Sequence, residues 1–261
     1  MTKNEKRFIL SMAIGLAVRP GSTDGGEVPR HSFSRAAGNV SNLEMWNTDA
    51  YRPIIEKLRA HEIPERYPAE TIATFENKQG LDEAFMTVRD EIIKASGYAV
   101  LTMAWLRPLA EWIGGRRCLE VMAGCGSLSK CLSDLGVDVI CTDSYGWEDK
   151  ATAWFETPWT PVERLDAVSA IRKYGSERDI IICSWPYMDD SCYHALLAMR
   201  ESNPDALMLY IGEPATHFGA GATADDAFFR VAEPAFDEGF ETVAAQYMTC
   251  YLLHDRPMLF R

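Results

Sequence analysis

A chain of 261 residues, 47% of them hydrophobic, is long enough to bury a full core as one large domain or as a domain with a cap, which excludes disorder throughout. Its formal charge of −12 repels a long phosphate backbone and argues against DNA or RNA as a partner. The 7 cysteines show no C-x-x-C spacing of the kind a zinc or redox site favours; most fall in apolar runs as small hydrophobes, and a reducing cytoplasm suits them.

In chain order, an apolar run over 8–18 follows Lys3, Lys6 and Arg7. It has the outline of a leader without its small-residue cleavage site, and it is too short to span a bilayer. No membrane partner is expected. Residues 19–39 are rich in Gly, Pro and Ser and read as a loop or lid. Leu81, Phe85, Val88 and Ile92 recur at helical spacing, and a second helix is predicted over 98–113, stopped by Gly114 and Gly115. Residues 1–95 are therefore predicted to form a mostly helical cap.

From residue 96 onward the pattern predicts an α/β domain running to 261. Short apolar runs at 118–122, 137–142, 179–183 and 206–211, with a weak one ending at Asp166, alternate with helical segments, as in a parallel sheet with crossovers. Two late runs, 241–250 and 251–260, have no helix between them and predict a closing antiparallel pair.

The first run ends in a turn holding Gly124 and Gly126, followed by an amphipathic helix with Leu128, Cys131, Leu132 and Leu135. Glycines there let backbone approach a ligand, and amides at a helix start suit a polar or anionic group. Asp143 closes the next run, where a carboxylate can accept both hydroxyls of a ribose. Taken singly, the turn is equally a plain strand-to-helix connection, and Asp143 a cap.

These residues together resemble the first motifs of the class I S-adenosylmethionine-dependent methyltransferases. Glu120 matches the acidic strand end, Gly124 and Gly126 match the last two glycines of G-x-G-x-G, and Met122 stands where the first would be. The resemblance implies a seven-stranded, mostly parallel Rossmann-like sheet with an N-terminal helical cap, and S-adenosyl-L-methionine as cofactor. Glu120, Ala123, Gly124 and Gly126 would line the methionine end, and Asp143 with Ser144 the ribose. Asp166 and Ala167 would lie at the adenine, although an Asp capping the helix that holds Ile171 and Tyr174 explains the same letters. Trp147 is a further candidate cover for the adenine.

The stretch ending Ser184-Trp185-Pro186-Tyr187 resembles the Asp/Asn-Pro-Pro-Tyr motif of methyltransferases that act on amino nitrogens. Ser184 replaces the acid or amide, so it can accept a hydrogen bond but brings no charge. Trp185 replaces the first proline, and with Tyr187 offers aromatic faces to a sulfonium. Glu213 and His217 follow the fifth run and are candidate general bases. Trp46, Tyr51 and Arg52 are candidates to close over the site.

The implied activity is methyl transfer to a small-molecule nucleophile such as an amine. Two alternatives stand beside it: a cyclase in which the cofactor's own amine displaces methylthioadenosine to give azetidine-2-carboxylate, and an inert nucleoside-binding domain.

Overall fold

The computed structural model describes residues 51–68, 81–146, 155–215, 223–249 and 253–261. Three helices precede the sheet: α1 (Arg52–Arg59), α2 (Leu81–Ser96) and α3 (Met103–Ile113). A proline in the first turn of α1 sacrifices only an amide that would be orphaned there anyway. α3 starts later than the predicted residue 98, because the Thr102 side chain accepts the Trp105 amide and fixes the start. Gly114, at φ 58°, ends it as expected.

The sheet has β1 (Cys118–Val121), β2 (Val139–Asp143), β3 (Glu163–Arg164), β4 (Ile180–Ser184), β5 (Leu207–Gly212) and β6 (Arg256–Phe260), in the order β3-β2-β1-β4-β5-β6. The first five pair in parallel, with Glu120 beside Cys141 and Ile182, and Ser184 beside Ile211. β6 runs antiparallel to β5, Tyr210 facing Met258. The intervening helices are α4 (Ser127–Asp134), α5 (Ala167–Tyr174), α6 (Ser191–Ser202), α7 (Asp226–Val231) and α8 (Glu238–Ala244). This is a doubly wound α/β sheet.

Six strands are formed among the described residues, against the seven expected. The run 241–250, read as a strand, falls partly within α8: the Asp237 carboxylate accepts the Phe240 amide at 2.8 Å, Glu238 and Glu241 sit in the first turn, and Phe240 and Val243 are buried three residues apart. The antiparallel pair expected between the two late runs is instead made by β6 with β5.

Side chains alternate across the sheet. Cys118, Ile180, Ile182 and Leu209 pack with Leu58, Ile92, Trp105, Leu128 and Phe240. Leu119, Val121, Ile181 and Met208 pack on the other face with Ile171, Leu196 and Phe228. Because helices cover both faces, β4 reads as an unbroken apolar run and its first four residues are all buried. At roughly 1.5–3 kcal/mol for each fully buried large aliphatic, the central strands dominate the core. α1 and α2 contribute Ile55, Leu58, Val88 and Ile92 to that same core.

The six described cysteines are buried and unbridged. Burial pushes the thiols of Cys118 and Cys131 up to about 12. No described helix is long and apolar enough to cross a membrane, and no described group of His, Cys, Asp or Glu is arranged to hold a metal ion.

Candidate functional site

The chain winds from β1 outward to β3, returns, and winds the other way through β4 and β5, so its direction reverses between β1 and β4. Ligands of open α/β sheets bind outside the strands' carboxyl ends at such a point. Left-handed backbone gathers there. Met122 follows β1 at φ 56°, Tyr145 follows β2 at 51° and Trp185 follows β4 at 50°. Each non-glycine residue in that region costs about 1–2 kcal/mol, and such strain collects where a ligand is gripped.

Met122 thus takes the conformation a glycine would take freely, with its side chain lodged against the core on the α5 and α6 face. Gly126 is required for two reasons. Its φ is 73°, and a Cβ there would lie 2.8 Å from Thr160 Cγ2 and 3.1 Å from both Cys141 Sγ and Val162 Cγ2. Its bare side therefore faces neighbouring protein, and the close approach that sequence reasoning assigned to a ligand is made here by residues 160–162.

Two carboxylates organise the turn. Glu120, 1% exposed, accepts the Ser129 amide at 3.0 Å and the Ser129 hydroxyl at 2.5 Å, so it caps the first turn of α4 from inside. Burial raises its pKa to about 7, against the pull of the Ser129 bonds. Asp143 accepts the Gly124 amide at 2.8 Å and the Tyr145 amide at 2.7 Å, tying the β1 turn to the end of β2. These two bonds fix the carboxylate at the carboxyl end of β2, beside the β1 turn. Ser144 is exposed, and its hydroxyl accepts the Gly146 amide.

Sequence reasoning missed a strap over this turn. Trp159 donates its backbone amide to Cys125 O at 2.8 Å and its indole N–H to Ala95 O at 2.7 Å. His61 stacks on its ring at 4.9 Å, and Arg59 bridges Glu91 and Glu156. The end of α2 touches the same turn, where the Ser127 hydroxyl donates to Ser96 O at 2.6 Å. Trp159 lies in a stretch with neither helical nor strand periodicity, so no pattern signalled it.

At the end of β4, the amide of Trp185 donates to Ile211 O at 2.7 Å and its indole N–H donates to Asp255 at 3.1 Å. Asp255 is buried and also accepts the hydroxyls of Tyr247 and Thr249. Tyr98 stacks on the indole at 5.5 Å, and the Arg89 guanidinium lies 5.2 Å from the ring centroid. A proline, fixed near φ −65°, has no access to the backbone conformation at 185, so the turn departs from a Pro-Pro path. A cation already over this ring also works against seating a sulfonium on it. Ser184 is half-buried, and Tyr187 is 60% exposed at the rim.

The remaining candidates disperse. Asp166 is exposed and caps α5 through the Ser169 amide at 2.9 Å; the Ser169 side chain first, and this amide second, lower its pKa. Ala167 is buried on the α5 face of the core. Glu213 is half-buried at the β5 end and accepts the His254 amide at 3.3 Å. Tyr51 is buried in the core and Arg52 is exposed. Trp46, Trp147, His217, Cys250 and the 19–39 loop lie outside the described residues.

No family model and no curated protein matches the sequence. Among solved structures, TehB from Haemophilus influenzae overlaps at TM-score 0.37 and 15% identity, over 66% of this chain and 66% of that one. The mitomycin 7-O-methyltransferase MmcR gives 0.37 and 13%, over 84% and 69%. Human N-acetylserotonin methyltransferase, solved with S-adenosylmethionine, gives 0.36 and 13%, over 84% and 68%. The chain spans about two thirds of the length of each. Overlap at this level assigns neither activity nor ligand.

Proposed function

We propose that the chain binds S-adenosyl-L-methionine across the carboxyl edge of the sheet and transfers its methyl group to a small-molecule acceptor. The observation that carries the reading is Asp143, a buried carboxylate at the end of β2 held by the amides of Gly124 and Tyr145, beside the point where the strand order reverses. The residues fit the cofactor: ribose hydroxyls meet Asp143, and the β1 turn, at positive φ through Met122 and Gly124, runs beside it. Asp166 would reach an adenine only by giving up its cap.

When bound, the cofactor supplies a methyl group on a sulfonium that is open to in-line displacement. The chain's own part is orientation and exclusion of water. Ser184 accepts a hydrogen bond from an acceptor amine or hydroxyl, Trp185 walls that side, Tyr187 stands at the rim, and Glu213 is placed to take a proton. Among the described residues, α1 and α2 cover the site and the sheet holds the cofactor; the hydrogen bond from Ser127 to Ser96 O at the end of α2 supports this division.

Calorimetric titration with S-adenosylmethionine followed by product analysis tests the proposal. Binding, with S-adenosylhomocysteine formed only when an acceptor is added, is expected. Methylthioadenosine released from the cofactor alone would replace methyl transfer by intramolecular displacement, and absence of binding would remove the reading altogether.

A further inference from the structure

We infer that Arg89 anchors a carboxylate, so that a ligand entering beside the β4 turn carries an anionic carboxyl group that pairs with this guanidinium. The inference rests on the reading of the carboxyl edge as a ligand site and names the chemistry it selects. Arg89 lies on α2 and is 2% exposed. Its Nη2 donates to Tyr98 O at a long 3.4 Å, and its Nη1 is buried with no hydrogen-bond partner. Among the described residues no carboxylate lies within ion-pair distance of it.

The contrast with Arg178, also buried, is instructive, because there Asp138 stands 2.9 Å away. A guanidinium does not discharge in a protein, and a buried charge without a counter-ion is costly. Nearby acids do not answer the need. Asp255 is committed to Trp185, Tyr247 and Thr249. Asp90, the next residue, attracts Arg89 and Lys94 electrostatically but makes no ion pair with Arg89, and burial outweighs that attraction and raises the Asp90 carboxyl.

Location supplies the second half of the argument. The guanidinium packs over the Trp185 ring, directly after β4, and the same ring stacks on Tyr98. Tyr187, two residues after Trp185, stands at the exposed rim. The unpaired cation thus belongs to the cluster that links the rim of the site to α2. A guanidinium is planar, and a carboxylate accepts two of its N–H groups in parallel.

The carboxylate has two possible sources, the amino-acid tail of the cofactor or the acceptor. Arg89→Met separates them while keeping an apolar stem over Trp185. Wild type and variant are titrated with S-adenosylmethionine and with its decarboxylated analogue. Both, loaded with S-adenosylhomocysteine, are then melted with acetate, glycine, glycolate and benzoate.

A loss of at least tenfold in affinity for S-adenosylmethionine, with the analogue unaffected, assigns the cofactor tail. Unchanged cofactor affinity, with stabilisation by a carboxylate seen in wild type alone, assigns the acceptor. In either case the unliganded variant should melt at the same temperature or higher, because an unpaired buried charge is gone. The inference is overturned if neither cofactor nor carboxylates distinguish the two proteins, or if the variant melts lower with all binding intact, which would make Arg89 structural. Failure of wild type to bind S-adenosylmethionine, with carboxylate stabilisation still dependent on Arg89, would sink the cofactor reading and leave the anchor standing.

Discussion

Glu120 is the residue whose titration the fold exposes most directly to measurement. Its carboxyl, buried at the end of β1, is raised from 4.5 to about 7, with desolvation the largest cause, opposed by the two Ser129 bonds and reinforced by Asp143. Since the folded value lies above the unfolded one, the native state holds the proton longer. The contribution of this group to stability is therefore fully present below about pH 4.5 and is lost as pH rises through about 7. A shift of this size corresponds to about 3 kcal/mol at 1.36 kcal/mol per unit. Glu120→Gln keeps the shape and an acceptor for the Ser129 amide but removes the titration. Urea unfolding of both proteins between about pH 5 and about pH 8 isolates the group, because every other ionisation cancels in the difference. Wild type should lose about 2–3 kcal/mol relative to the variant across that range. A difference that stays constant with pH would show that Glu120 is already ionised in the fold, and the account of its burial would fail.

Four further outcomes test other parts of the structure. Asp143→Asn should weaken S-adenosylmethionine by about 1.5–3 kcal/mol, the scale of lost charge-assisted hydrogen bonds, and unchanged affinity by calorimetry would remove Asp143 from the ribose. Gly126→Ala forces a Cβ to 2.8 Å from Thr160 at positive φ and should cost about 2–4 kcal/mol in guanidinium unfolding. Asp237→Ala removes the cap of α8 and a bond from Trp112, and should cost about 1–2 kcal/mol with a small loss of helical circular dichroism. Ser184→Ala should lower turnover more than cofactor affinity, and equal turnover would exclude its hydroxyl from orienting the acceptor.

What the sequence made legible was whatever depends on local pattern. β1, β2, β4 and β5 appear within two residues of the expected runs, because strands buried on both faces leave continuous apolar stretches. α8 was misread because Phe240 and Val243 sit in a segment that also suits a strand; the deciding fact is that Asp237 reaches the Phe240 amide. The pairing of Trp159 with Ala95 and of Asp255 with Trp185 joins residues far apart in the chain, which no window can see. Arg89 did leave a trace, since helical spacing puts it on the same stripe as Phe85 and Ile92, where a charge is out of place. The alternative reading of Asp166 as a helix cap describes the bond it makes.

The two margins of the sheet bear on how the protein behaves when concentrated. Beyond β6, Glu233 and Arg261 exchange backbone hydrogen bonds, and the Ala235 amide donates to Leu259 O, so a neighbouring molecule finds those groups already taken. Beyond β2, the outermost strand is only the pair Glu163 and Arg164, too short and too charged to template another chain. Both ends are thus blunted against strand-by-strand growth into aggregates, and self-association, where it occurs, has to proceed through helices or loops.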